Sequence, residues 1–162
     1  MLHRIRFAQH QGSINKMTGT VEADETFVGG KARNMHADKR AEKIHGRGPE
    51  GKAIVFGLLE RETGKVRMKV VDFRRKHHLQ AEIRSNVTPG SALYTGALKS
   101  YDGLQSEYAH KVIDHAEAYV DGAVHTNRLE NFWSLLKRAI RGTSVSVEPF
   151  HLYRYLDEQS FR

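Results

Sequence analysis

Residues 52–60 read Lys-Ala-Ile-Val-Phe-Gly-Leu-Leu-Glu, a nearly continuous apolar run with a charge at each end. A strand that is apolar on both faces must lie inside a sheet covered on both sides, so this run predicts a central strand. The stretches around it fit a sheet. Residues 20–28 read as a first strand, with Val21, Ala23 and Glu25 on one face and Glu22, Asp24 and Thr26 on the other, released by Gly29 and Gly30. Glu60–Lys65 makes a hairpin turn with Gly64, and Val66–Val71 returns as a strand. Leu79, Ile83 and Val87 recur every four residues, which predicts a short amphipathic helix over 77–87, ended by Pro89-Gly90. Ser91–Thr95 reads as a strand, Lys99–Glu107 as a small helix and residues 109–115 as a last short strand. Two helices follow, over Asn127–Ile140 and from Pro149 onward. Three strands able to form a meander, then alternating helices and strands, predict an α/β fold: a mixed central sheet with helices on its faces.

The chain has 162 residues, the size of one domain with a real core. Residues 1–19 read as a lead-in with Phe7, Ile14 and Met17 as weak anchors, and residues 20–162 as the domain. No run approaches the roughly 20 apolar residues of a membrane span, and the basic start lacks the apolar stretch of a secretory signal. There are no cysteines, which excludes disulfides, thiolate zinc sites and cysteine nucleophiles and fits a reducing compartment. The histidines are scattered, with no compact zinc spacing. The net charge of +7 suits a polyanionic partner without proving one.

Much of that charge is concentrated. Residues 29–52 carry Lys31, Arg33, Lys39, Arg40, Lys43, Arg47 and Lys52 among small and polar residues, and read as a long basic loop. It is either a phosphate-contacting loop or a solvated face. The acids Glu22, Asp24 and Glu25 stand out against this background. Carboxylates fixed on a strand suit magnesium, a hard cation, although a polar edge strand would look the same.

The helix near the end carries a second cluster. Thr126 is a plausible N-cap. Leu129, Phe132, Trp133, Leu136 and Ile140 form one buried stripe, and Trp133 reads as core. Asn127, Glu130, Ser134, Lys137 and Arg141 fall opposite. Arg128, Lys137, Arg138 and Arg141 can bind a phosphate backbone. Glu130 is either a functional acid or an ordinary first-turn acid favoured by the helix dipole.

Two stretches together resemble the catalytic domain of DDE transposases of bacterial insertion sequences. They are Val-Glu-Ala-Asp-Glu-Thr-Phe-Val-Gly-Gly-Lys from Val21 and His-Thr-Asn-Arg-Leu-Glu-Asn-Phe-Trp-Ser from His125. Tyr101-Asp102-Gly103-Leu104, His110, His115 and His151-Leu152-Tyr153 extend the likeness along nearly the whole chain. The resemblance implies a ribonuclease H-like fold, with Asp24 as first catalytic acid, Glu130 as last, and Asn127 completing the helix signature. It implies Mg2+ or Mn2+ as a two-metal cofactor, and cleavage of a phosphodiester at a transposon end followed by transfer of the freed strand. Its partners would be double-stranded DNA, as transposon ends and target, and further copies of itself, in the bacterial cytoplasm at the nucleoid. It also places His115 and His125 near the active site.

The sequence departs from that pattern in two places. The middle aspartate should follow the threonine of the fourth strand, yet the chain reads Tyr94-Thr95-Gly96-Ala97. Glycine brings no ligand, so the expectation is a dead or strongly impaired enzyme, or a binding remnant, unless Asp102 or Asp114 substitutes. In addition, the zinc ribbon and helix-turn-helix of that transposase branch have no counterpart in this sequence. This leads to the expectation of a decayed or truncated copy.

Overall fold

The computed structural model describes residues 15–30, 34–46, 49–113, 124–143 and 149–161. A five-stranded sheet runs in the order β3-β2-β1-β4-β5. Its strands are β1 Thr20–Val28, β2 Ala53–Glu60, β3 Val66–Val71, β4 Ala92–Gly96 and β5 Ala109–Ile113. The first three form an antiparallel meander, and β4 and β5 run parallel to β1, so the sheet is mixed as expected. The helices are α1 Ala37–Lys43, α2 Lys76–Asn86, α3 Asn127–Thr143 and α4 Pro149–Phe161.

The apolar run at 52–60 has a direct explanation here. Phe56 and Leu58 pack into the cluster under α2, with Val21, Ala23, Leu79, Ile83 and Leu93. Val55 and Leu59 pack into the opposite cluster, with Leu129, Trp133, Leu136, Ile140, Leu152 and Leu156 from α3 and α4. Both faces of β2 are therefore buried, and each large apolar side chain so buried contributes roughly 1.5–3 kcal/mol. The acids on β1 follow the same alternation: Glu22 and Asp24 face α3, and Glu25 faces away.

Two expectations need correction. The stretch 29–52 is not all loop, because α1 lies inside it. That helix buries none of its residues, so it has no apolar period to read; its Ala, Lys, Arg and Glu content is helix-forming in itself. Lys99–Glu107 is not one helix but two 3-10 turns, Lys99–Tyr101 and Leu104–Ser106. Asp102 goes extended and ends the first turn, and Gly103, at φ +90°, leads into the second. Part of the lead-in is attached to the fold. Met17 is 1% exposed and bridges to Val87, and its backbone bonds both Asn86 and Thr88.

Candidate active site

The site is built where α3 lies along β1. Glu22 is completely buried, and both its oxygens accept hydrogen bonds. Arg61 Nε donates to one at 2.7 Å, and the backbone N–H of Leu129 donates to the other at 2.9 Å. Arg61 also donates to the His125 carbonyl at 2.6 Å and to its Nδ1 at 2.8 Å, and stacks 4.7 Å over the Tyr94 ring. Glu22 therefore satisfies one of the free N–H groups at the start of α3, a role usually played by a local cap. The charge of Glu22 is balanced by Arg61.

Asp24 sits two residues further along the same face. Its Oδ2 accepts from the Trp133 indole N–H at 2.9 Å. Burial, then the neighbouring charge of Glu25, push its carboxyl up to about 6. The Trp133 bond opposes that rise, and Glu130 adds to it, which puts Glu130 within electrostatic reach of Asp24. The indole reaches Asp24 because Gly57 is its partner across the β1–β2 ladder. A Cβ on Gly57 would lie 2.4 Å from Trp133 Cη2, so only glycine leaves room for the ring. Glu25, on the other face, accepts from the Tyr101 hydroxyl at 2.7 Å and pairs with Arg74 at 3.4 Å.

Glu130 lies in the first turn of α3, half-buried, and accepts from the Thr126 hydroxyl at 3.1 Å. Asn127 is exposed at the helix start. Gly96 is the last residue of β4. The parallel register pairs Glu22 with Tyr94 and Ala23 with Thr95, so its next step sets Gly96 beside Asp24 on the α3 face. A Cβ on Gly96 would meet nothing within 4 Å. Thr95 is fully buried, with its hydroxyl 2.9 Å from His110 Nε2, and the charge of Asp102 is felt at His110.

Of the basic candidates, Lys137 feels the charge of Asp24. It is half-buried, and burial, then Arg141, hold it below its ordinary value, with Asp24 opposing and Lys52 adding. Ser134, Lys137, Arg138 and Arg141 line one open depression. Arg128 donates to the Arg61 carbonyl at 2.6 Å. Lys39 and Arg40 are exposed on α1. Lys31, Arg33, Arg47, Asp114 and His115 lie outside the described residues, as do Phe7 and Ile14.

Among the described residues, the donor set falls short of a two-metal site. Asp24 and Glu130 each bring a carboxylate, but position 96, where a shared ligand would stand, brings none. No group of three His, Cys, Asp or Glu able to hold a metal occurs among the described residues. Two carboxylates fit at most one magnesium-like cation completed by water and phosphate oxygens. Sequence reasoning missed the roles of Glu22, Arg61 and Gly57, and the donor role of Trp133. A glycine inside an apolar strand was the available signal for a close approach.

The chain belongs to the ISXO2-like transposase domain family, whose model matches residues 16–162. An uncharacterized transposase-like protein of Haemophilus influenzae is 36% identical over 73 residues, which cover 44% of this chain and 59% of that protein. An uncharacterized protein in transposable element ISH50 of Halobacterium salinarum is 28% identical over 159 residues, covering 90% of this chain and 54% of that protein. The matches thus span little more than half the length of these relatives. Among solved structures, a chain of the simian T-cell lymphotropic virus intasome, in complex with PP2A regulatory subunit B56 gamma, superposes with a TM-score of 0.51. It is 11% identical, and the match covers 90% of this chain and 50% of that one. The fold is ribonuclease H-like. No helix among the described residues is long and apolar enough to cross a membrane.

Proposed function

We propose that residues 20–162 act in DNA transposition as a transposase catalytic domain that still engages DNA but is strongly impaired in cleavage and strand transfer. The observation that carries this reading is Gly96, set beside Asp24 by the β1–β4 register with open space where a side chain would project. In the family pattern a carboxylate there would be shared between two divalent metals that activate the attacking oxygen and stabilise the leaving one. Asp24 and Glu130 remain, and Asn127 is available to orient a ligand. Burial, then the neighbouring charge of Glu25, push the Asp24 carboxyl up to about 6, a perturbation of the kind found at functional acids.

A second reading is a binding-only remnant, favoured by the depression lined by Lys137, Arg138 and Arg141. Together with Lys52, and with Lys39 and Arg40 on α1, these residues would neutralise double-stranded DNA at transposon ends and target. Self-association on DNA and a nucleoid-associated place in the bacterial cytoplasm belong to the same proposal.

The test is strand cleavage and transfer on labelled transposon-end DNA with Mg2+ or Mn2+, comparing this chain with its Gly96→Asp variant. Cutting by the variant alone supports the impaired-enzyme reading. A salt-sensitive DNA shift by both proteins, without product from either, favours binding only. Comparable cutting by both would show that the missing carboxylate is dispensable.

A further inference from the structure

The contact between β1 and α3 is made directional by two hydrogen bonds. Glu22 accepts from the Leu129 N–H at 2.9 Å, and Asp24 accepts from the Trp133 indole at 2.9 Å. The anchored residues are two apart on the strand and four apart on the helix. Two strand residues rise ~6.6 Å, and four helix residues rise ~6.0 Å. The comparable rises let both bonds form together with α3 running along β1 in the same direction. Glu130 lies between the two anchored helix residues.

Apolar packing alone would not set the register of α3 on β1. The stripe of Leu129, Trp133, Leu136 and Ile140 packs on Val28, Val55 and Leu59 without directional preference. Sliding α3 by one residue displaces each donor by ~1.5 Å and turns it by ~100°, which breaks both bonds. Shifting β1 by one residue turns its acids to the other face. The strand end is held in turn, because Arg61 grips both Glu22 and the His125 carbonyl.

We propose that Glu22 and Trp133 are positioning residues, a two-point lock that fixes the register of α3 on β1 and so sets the spacing of Asp24 and Glu130. The functional weight of this lock rests on reading Asp24 and Glu130 as the acid pair. Glu22 is thus an acid of the cluster that works through the helix, and Trp133 is a core residue with a polar duty.

The chain contains one tryptophan, so its 15N spectrum has one indole N–H resonance to follow. In Glu22→Gln, one acceptor oxygen faces two donors, Arg61 Nε and the Leu129 N–H. The lock predicts that the indole resonance of the full chain then moves more than halfway toward its position in the urea-unfolded protein. The amides of Val55 and Leu58 should stay at their folded positions. If Glu22→Gln does not fold, Trp133→Phe is read at the Leu129 amide by the same criterion. A movement of less than half in a folded variant overturns the lock, since each bond would then stand alone. Mn2+ added to the Gly96→Asp protein tests the acid-pair reading separately. Broadening of the indole resonance supports that reading. Its absence sinks the metal site and leaves the lock to be judged on the Glu22→Gln result.

Discussion

The two ends of the β1–α3 contact treat their carboxylates in opposite ways. At the Glu22 end, a fully buried acid has a guanidinium and a backbone N–H on its oxygens. At the Asp24 end, an acid on the same face has two neutral donors, the Trp133 indole and the Glu25 backbone N–H, with a like charge beside it and another in the first turn of α3. The Asp24 carboxyl is pushed up to about 6, by burial first. The difference separates an acid that holds the structure from one whose charge is left to be balanced from outside. Sequence position does not separate them, since both alternate onto the same face of one strand.

The largest break in this comparison should come from Glu22. Glu22→Leu removes the partner of Arg61, which is only 14% exposed, and leaves the Leu129 N–H without its acceptor. Breaking a buried ion pair by removing one side costs about 3–5 kcal/mol, so urea unfolding should show a loss of that size. A loss below about 1 kcal/mol, the range of an exposed pair, would put Glu22 and Asp24 in the same class.

Asp24→Asn should have the opposite sign. The Asp24 carboxyl is raised from 3.8 to about 6 in the fold, so the folded state binds the proton more tightly than the unfolded chain does. Ionising it therefore costs stability progressively as pH rises from about 4 to 6, and the full cost persists above that range. Asparagine can still accept from the indole and carries no charge. The variant should be more stable than the parent by on the order of 2–3 kcal/mol at pH 8, with the advantage gone by pH 4. Denaturation midpoints measured across that range check it. An advantage that does not change with pH would mean that the rise at Asp24 is not what costs stability.

Gly57→Ala tests the same end from the sheet side. The added methyl would lie 2.4 Å from Trp133 Cη2, so the indole must move. Overpacking of this kind costs about 1–3 kcal/mol, and the shift should appear as changed tryptophan fluorescence. An unchanged emission spectrum would show that the ring had not been using that space.

These contrasts also mark what the sequence could reveal. Strands β1 to β4, α2 and the two closing helices were legible because they bury apolar side chains, as Leu79 and Ile83 do under the sheet, whereas β5 buries only Ile113. The α1 helix was not, because it buries nothing. The break at Asp102 and Gly103 was missed although Gly103 is itself a breaker signal. Asp24, Glu130 and Gly96 were named through resemblance, and the register sets Gly96 beside Asp24. The roles of Glu22 and Gly57 depend on which helix crosses β1 and where. A single chain carries that information only after the tertiary contact is known.

The smallest expected stability effect is at Gly96. Its φ lies outside the left-handed region, and a Cβ there meets no atom within 4 Å, so Gly96→Asp introduces neither backbone strain nor a clash. The new charge lies near Asp24 and Glu130, which opposes it. With chelator present, the variant should match or fall below the parent by no more than about 0.5 kcal/mol, the usual range for an unstrained surface change. Mn2+ should reverse that order, because a ligand that binds the folded state alone raises its stability in proportion to RT ln(1 + [L]/Kd). At a hundred times its Kd the gain is about 2.7 kcal/mol, and the parent should gain far less at the same concentration. Thermal shifts with and without Mn2+ measure both proteins side by side. Equal shifts would mean that Asp24 and Glu130 already bind the ion as well as three carboxylates do, and that the contrast between the two ends of β1 does not depend on Gly96.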